Sequence, residues 1–289
     1  MMNNLLRKCA SLFLLLIMPV GFVSCVQYEQ VSSFFPDGSG KISMSIGMKK
    51  SMIEQLEEMA KSMGSEEEMD PLADYTDPKK LAKNSEGILA WTKPEVKDDG
   101  EWIRVSYTGY FADINKVKIY QEQDEGGEKT KSLAFACKYE KGEETSTLQL
   151  IDDTREAMGE DLNQPEEDEA MREMQIQMMK TMMEGLKIRM AITVPGEVLE
   201  SSGFMSTEGR ICSIEMDADL MIAMMEDPEG EEAKKMKAIT DAKEAKITFK
   251  NEAPAGEEVD AFKKEMADAK AAWEKLLKDI PEEKEEEEE

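Results

Sequence analysis

The sequence predicts an α+β fold: one or more antiparallel sheets, two packing helices and a C-terminal amphipathic helix. Three observations carry this. Many short segments alternate apolar and polar residues and are separated by Gly, Pro and Asp clusters, which is the period-2 pattern of half-buried strands. A few longer segments repeat their apolar residues at three and four, the helical period. The order is mostly strand runs with helices between, rather than a regular βαβ alternation, which favours antiparallel pairing.

Taken in order, 26–35 and 41–48 read as two strands, with Ile42, Met44, Ile46 and Met48 on one face. Between them Pro36-Asp37-Gly38-Ser39-Gly40 is a turn, because proline presets φ and glycine tolerates positive φ. Gly38-Ser39-Gly40-Lys41 is not a phosphate-binding loop: the first glycine of that motif is missing, Ile42 stands in the hydroxyl position, and a strand pattern follows. Residues 50–63 read as a helix through Met52, Leu56, Met59 and Met63, ended by Gly64. Residues 65–85, acidic and broken by Pro71 and Pro78, read as a loop or a partly ordered excursion. Strands are expected at 88–91, 101–111, 117–120, 132–139 and 145–151. A second helix is expected over 165–184, opened by Pro165 with an acidic first turn. Leu186, Ile188, Met190, Ile192 and Val194 alternate as a strand. A hairpin is expected from 198–200 to 210–217 through Ser201-Ser202-Gly203, then a short helix over 218–225 and a strand over 245–250. The last helix, 256–280, places Val259, Phe262, Met266, Ala269, Trp273, Leu276 and Ile280 at alternating spacings of three and four, an a/d seam of the coiled-coil kind. Either that seam packs on the chain's own sheet, or it pairs with a second copy or a partner helix.

The N-terminus has its own pattern. Arg7 and Lys8 precede an apolar run from Leu12 to Met18, too short to span a bilayer, and Phe22-Val23-Ser24-Cys25 follows. This resembles the lipobox of bacterial lipoproteins, with Phe22 where leucine is usual. The resemblance implies a signal peptide over 1–24 that is removed, and acylation, palmitate included, at Cys25. It also implies export and membrane attachment, with Val26 after the cysteine favouring the outer membrane or cell surface over the periplasmic side. Within 25–252, the α+β envelope domain, Cys25, the Asp37-Gly38-Ser39-Gly40 hairpin, Val194-Pro195-Gly196-Glu197-Val198 and the Ser202-Gly203 turn together resemble the LppM-like domain of bacterial lipoproteins. That resemblance covers most of 25–220. It implies an α+β body beneath a lipid anchor and brings no catalytic residues with it.

Composition narrows the function. Net charge is −27 over 289 residues, and loss of the leader would remove two further cations. Such an acidic chain does not suit a nucleic-acid partner, whose phosphates need lysine and arginine in excess. There is no histidine, which excludes His-based triads and HExxH zinc sites. No metal or cofactor is expected. Carboxylate-only chemistry, as in a cell-wall or glycan hydrolase, is a remote alternative. Cys137 and Cys212 each lie in phase with an alternating apolar run; a disulfide or two separate buried thiols would both account for them. The chain has 24 methionines, and Met174, Met178 and Met182 share one face of the second helix. They read as core, or as hydrophobic-ligand contacts in a lipid carrier; an all-methionine copper site is the most remote reading. Trp91, Trp102 and Trp273 read as core before they read as a sugar-stacking surface. Residues 281–289, almost all glutamate, read as a disordered acidic tail. The expectation is therefore a non-enzymatic, membrane-anchored envelope lipoprotein with a structural, scaffolding or binding role.

Overall fold

The computed structural model describes residues 26–62, 70–125, 128–151, 180, 183–227, 229–242 and 244–280. Two sheets make up the α+β body. The first has eight strands in the order β12-β13-β10-β1-β2-β6-β4, with β5 also pairing β6; the second has six, β11-β14-β9-β8-β7-β3. The strands are β1 (Val26–Phe34), β2 (Gly40–Lys49), β3 (Ser85–Glu86), β4 (Ile88–Trp91), β5 (Glu95–Asp98), β6 (Trp102–Phe111) and β7 (Lys118–Glu125). They continue with β8 (Glu128–Lys141), β9 (Thr145–Ile151), β10 (Lys187–Thr193), β11 (Val198–Ser202), β12 (Ser206–Glu208), β13 (Ile211–Asp217) and β14 (Lys246–Lys250). The helices are α1 (Lys50–Ser62), α2 (Ala73–Thr76), α3 (Pro78–Lys83), α4 (Ala218–Glu226), α5 (Glu231–Asp241) and α6 (Gly256–Asp279). Antiparallel pairing prevails, as expected, but β1 and β10 run parallel at the middle of the first sheet. No local pattern marks that pair, because well over a hundred residues lie between its strands.

The β1–β2 hairpin forms where the turn cluster places it, Phe34 opposite Gly40. Asp37 Oδ1 accepts from the Ser39 amide (3.0 Å) and from its hydroxyl (2.6 Å), and Gly38 supplies a φ of 86°. Gly40 is required for a different reason: a Cβ there would stand 2.2 Å from the Ser33 carbonyl oxygen. Even-numbered residues of β1 and β2 face the core, so Tyr28, Phe34, Ile42, Met44, Ile46 and Met48 are buried.

Two expectations are corrected. Of the two readings of 65–85, the described part is the ordered one: α2, α3 and β3 occupy it, and only the role of Asp77-Pro78 there needs correcting. Asp77-Pro78, read as a breaker, is a helix start. The Asp77 side chain accepts from the Lys79 amide at 2.8 Å, and proline takes the first helical position, where its missing N–H costs nothing. Nor does 198–200 form a hairpin with 210–217. β11 pairs with β14 in the second sheet, and β13 takes β12 as its partner. Gly209-Arg210 makes the two-residue loop that hairpins favour, with Gly209 at φ 60°, while Gly203 at φ 77° turns the chain from one sheet to the other. Helix α5, with Ala233, Met236 and Ile239 buried on one face, was not anticipated.

One core joins the sheets. Phe34 of β1 meets Tyr139 edge-on (centroids 5.1 Å) and Phe249 of β14 (6.1 Å). Methionine fills much of the remainder: Met48, Met52, Met183, Met216, Met221, Met224 and Met236 are buried, as suits a flexible side chain among irregularly meeting elements. The α6 seam packs internally. Phe262 and Trp273 are buried, Val259, Met266, Ala269, Leu276 and Ile280 half-buried, and the opposite face is exposed. The helix lies against edge strand β4 and α3. Phe262 reaches Phe35 (4.8 Å), Tyr110 donates to Glu265 Oε1 at 2.7 Å, and Lys41 pairs with Glu265 at 3.1 Å. Covering β4 in this way also blunts an exposed sheet edge.

Candidate functional site

Cys25 lies outside the described residues, as do the leader 1–24, Met174, Met178, Met182 and the tail 281–289. The residue bonded to Cys25, Val26, opens β1 and is 4% exposed. Its surroundings define one end of the first sheet. Val26 faces Met48, Gln27 faces Lys187, and Lys49 faces Trp102 across the ladders. Trp102 is buried between two cations, the Lys49 ammonium 5.8 Å and the Arg104 guanidinium 5.5 Å from ring centroids. Gly185, at φ 84°, passes over the same ring, where a Cβ would come within 3.1 Å. The cations at this end have acidic partners: Lys49 with Glu101 (3.8 Å) and Glu184 (3.6 Å), Lys50 with Asp98 (2.6 Å), and Arg104 with Asp99. The Lys50 hydrogen bond holds the Asp98 carboxyl below its usual range, and the Trp102 backbone amide does the same for Asp99.

The same sheet carries a trough of about 330 Å³ over β1, β2 and β6, with Thr92 and Glu95 also lining it. Its walls mix hydroxyls and carboxylates (Ser43, Ser45, Ser106, Thr108, Glu29 and Glu95) with the apolar surface of Val31, Met44 and Tyr107. Ser43 and Thr108 hydroxyls lie 3.0 Å apart, and the Thr92 hydroxyl accepts from the Thr108 amide at 2.9 Å. Beside it Arg189 bridges Glu29 (2.7 Å) and Glu215 (2.9 Å). Such a surface can hydrogen-bond a polar ligand. The sequence signal for it was weak: these are the outward positions of alternating strands, and on most sheets they only meet water.

Cys137 and Cys212 are free and buried in the structure, one on β8 of the second sheet and the other on β13 of the first. Burial pushes both thiols up in pKa, with Thr207 partly offsetting the rise at Cys212, so neither is poised as a thiolate. Trp91, Trp102 and Trp273 are all buried, so none is exposed for stacking on a sugar. Among the described residues, no three Cys, Asp or Glu side chains converge as a metal site, and no helix is long and apolar enough to cross a membrane.

No protein-family model and no curated protein matches the chain. A solved structure similar to it is the folded domain of the LppM protein of Mycobacterium tuberculosis, at 7% identity and a TM-score of 0.31. The match covers 81% of this chain and 93% of that one. Likeness at that level carries no inference about function and does not assign this chain to a family.

Proposed function

We propose that this chain is a non-enzymatic envelope lipoprotein, acylated at Cys25, whose α+β body performs a structural or binding role at a membrane surface. The observation that carries the reading is the sequence at the junction. A basic and apolar leader ends in Val23-Ser24-Cys25, and the folded body starts at the next residue. Anchoring through acyl chains needs no membrane-crossing helix, because two chains suffice for stable attachment. Many of the described methionines are buried in the core, which supports a structural use of that residue.

Fractionation of the producing cells tests this. Wild-type protein should pellet with membranes and take up a fatty-acid label, and Cys25→Ala should do neither. Membrane association that survives Cys25→Ala would overturn the anchor. Turnover of a cell-wall glycan that is lost in Glu29→Gln or Glu95→Gln would overturn the non-enzymatic reading.

A further inference from the structure

We propose that the body sits directly on the bilayer, standing on the end of the first sheet formed by Val26, Met48–Lys50, Trp102 and Gly185–Lys187, with the strands of that sheet rising away from the lipid. This rests on acylation at Cys25 and deepens it into an orientation.

The argument starts from tether length. A flexible linker of n residues lets a domain wander by about 5–6 Å × √n. Here none is available: the Cα of Cys25 lies about 3.8 Å from that of Val26, and Val26 is already paired and buried in β1. β1 is also an interior strand, held on one side by β2 and on the other by β10. Acyl chains on Cys25 would therefore leave from a rigid point at the middle of the sheet end, not from a loose edge.

Charge permits this seating. The chain as a whole is strongly acidic and would be repelled by an anionic leaflet. At this end, however, four cations offset all but one of five acids, so the local charge is far closer to neutral than that of the whole chain. Lys49, Lys50 and Arg104 pair with Glu101, Glu184, Asp98 and Asp99, and Lys187 stands opposite Asp217 in the ladder. The far end, by contrast, carries the Asp37–Ser39 turn and the Phe262–Tyr110 contact with α6. β6 runs from one end to the other, ten residues from Trp102 to Phe111, about 33 Å at strand rise. The trough over β1, β2 and β6 then lies between the membrane and the far end.

The test places one fluorophore at each end of β6, in Glu101→Cys and in Ala112→Cys, both exposed positions outside the strand. Buried Cys137 and Cys212 should take no label, which unsubstituted protein checks. The acylated proteins are reconstituted into phosphatidylcholine vesicles with a nitroxide on a fraction of headgroups. The expected result is co-flotation of both, with quenching several-fold stronger at 101 than at 112. Co-flotation with equal quenching at the two positions would overturn the seating while leaving the anchor intact. Failure to co-float would overturn the anchor and the seating together. Hydrogen exchange on unsubstituted protein gives a second reading: vesicles should slow exchange at 49–50, 98–102 and 185–187, and uniform or absent slowing counts against the proposal.

Discussion

Trp273→Ala should be among the most damaging single substitutions outside the sheets. Trp273 is 6% exposed and packs in the main core from the last quarter of α6. Burying a side chain of its size removes about 200 Å² from water, worth about 5 kcal/mol at 25 cal/mol per Å², an upper bound because the unfolded chain already hides some area. Truncation to alanine in comparable sites costs about 3–5 kcal/mol. Phe262, 5% exposed, holds the other end of the same helix. The two lie eleven positions apart, about 16 Å along an α-helix, far enough for independent effects to add. They should not add here, because α6 is one rigid lever: once undocked by the first truncation, it has little left to lose from the second. Urea denaturation of both single variants and the double variant checks this, alongside proteolysis in the 251–255 connection. A Trp273→Ala change below about 0.5 kcal/mol, the range of ordinary surface substitutions, would refute the docking of α6. Stability that rises with protein concentration would show the seam serving two copies instead.

Three further outcomes are expected. Gly40→Ala should destabilise by about 1–3 kcal/mol, the usual range for overpacking, because the new methyl would meet the Ser33 carbonyl at 2.2 Å and backbone cannot step aside; an unchanged denaturation midpoint would show that the hairpin relaxes. The Glu265 carboxyl is held below its usual range, first by the Tyr110 hydroxyl and also by Lys41. A depressed folded-state pKa gives stability that is complete above the unfolded value, near 4.3, and is lost as pH falls through the folded value. Acid titration followed by hydrogen exchange over 256–279 should therefore show α6 loosening below that range, an event missing in Glu265→Gln; since Glu265 is about half exposed, the effect should be small and salt-sensitive, and a pH response identical in the variant would contradict the assignment. In native protein Cys137 and Cys212 should resist a thiol reagent and both should react after denaturation without reductant; no reactive thiol in denatured protein would mean that they are bridged.

Local chemistry was legible in the sequence. The Pro36–Gly40 turn, the alternation along β1, β2 and β10, and the three-four spacing of α6 each lie within one short window, and each appears in the structure. What was illegible depends on pieces distant in the chain or on signals with two meanings. The parallel β1–β10 pair is invisible because neither strand's pattern names its partner. Gly203 reads as the turn of a hairpin; packing makes it the change of sheet, and the hairpin closes at Gly209, where no turn is expected from the sequence. Asp77-Pro78 reads as a stop or as a cap until the helix after it is seen. The trough was missed for a related reason: Ser43, Ser45, Ser106 and Thr108 are ordinary outward residues singly and become a surface only when β2 and β6 align.

The central claim is that the mature chain begins at an acylated Cys25 with the fold starting one residue later. Intact-mass and N-terminal peptide analysis of membrane-extracted protein tests it most directly. The expected result is a chain that starts at Cys25 and carries its acyl groups there, with Val26 protected from exchange as part of β1. An unmodified Cys25, or a mature N-terminus elsewhere, would contradict it.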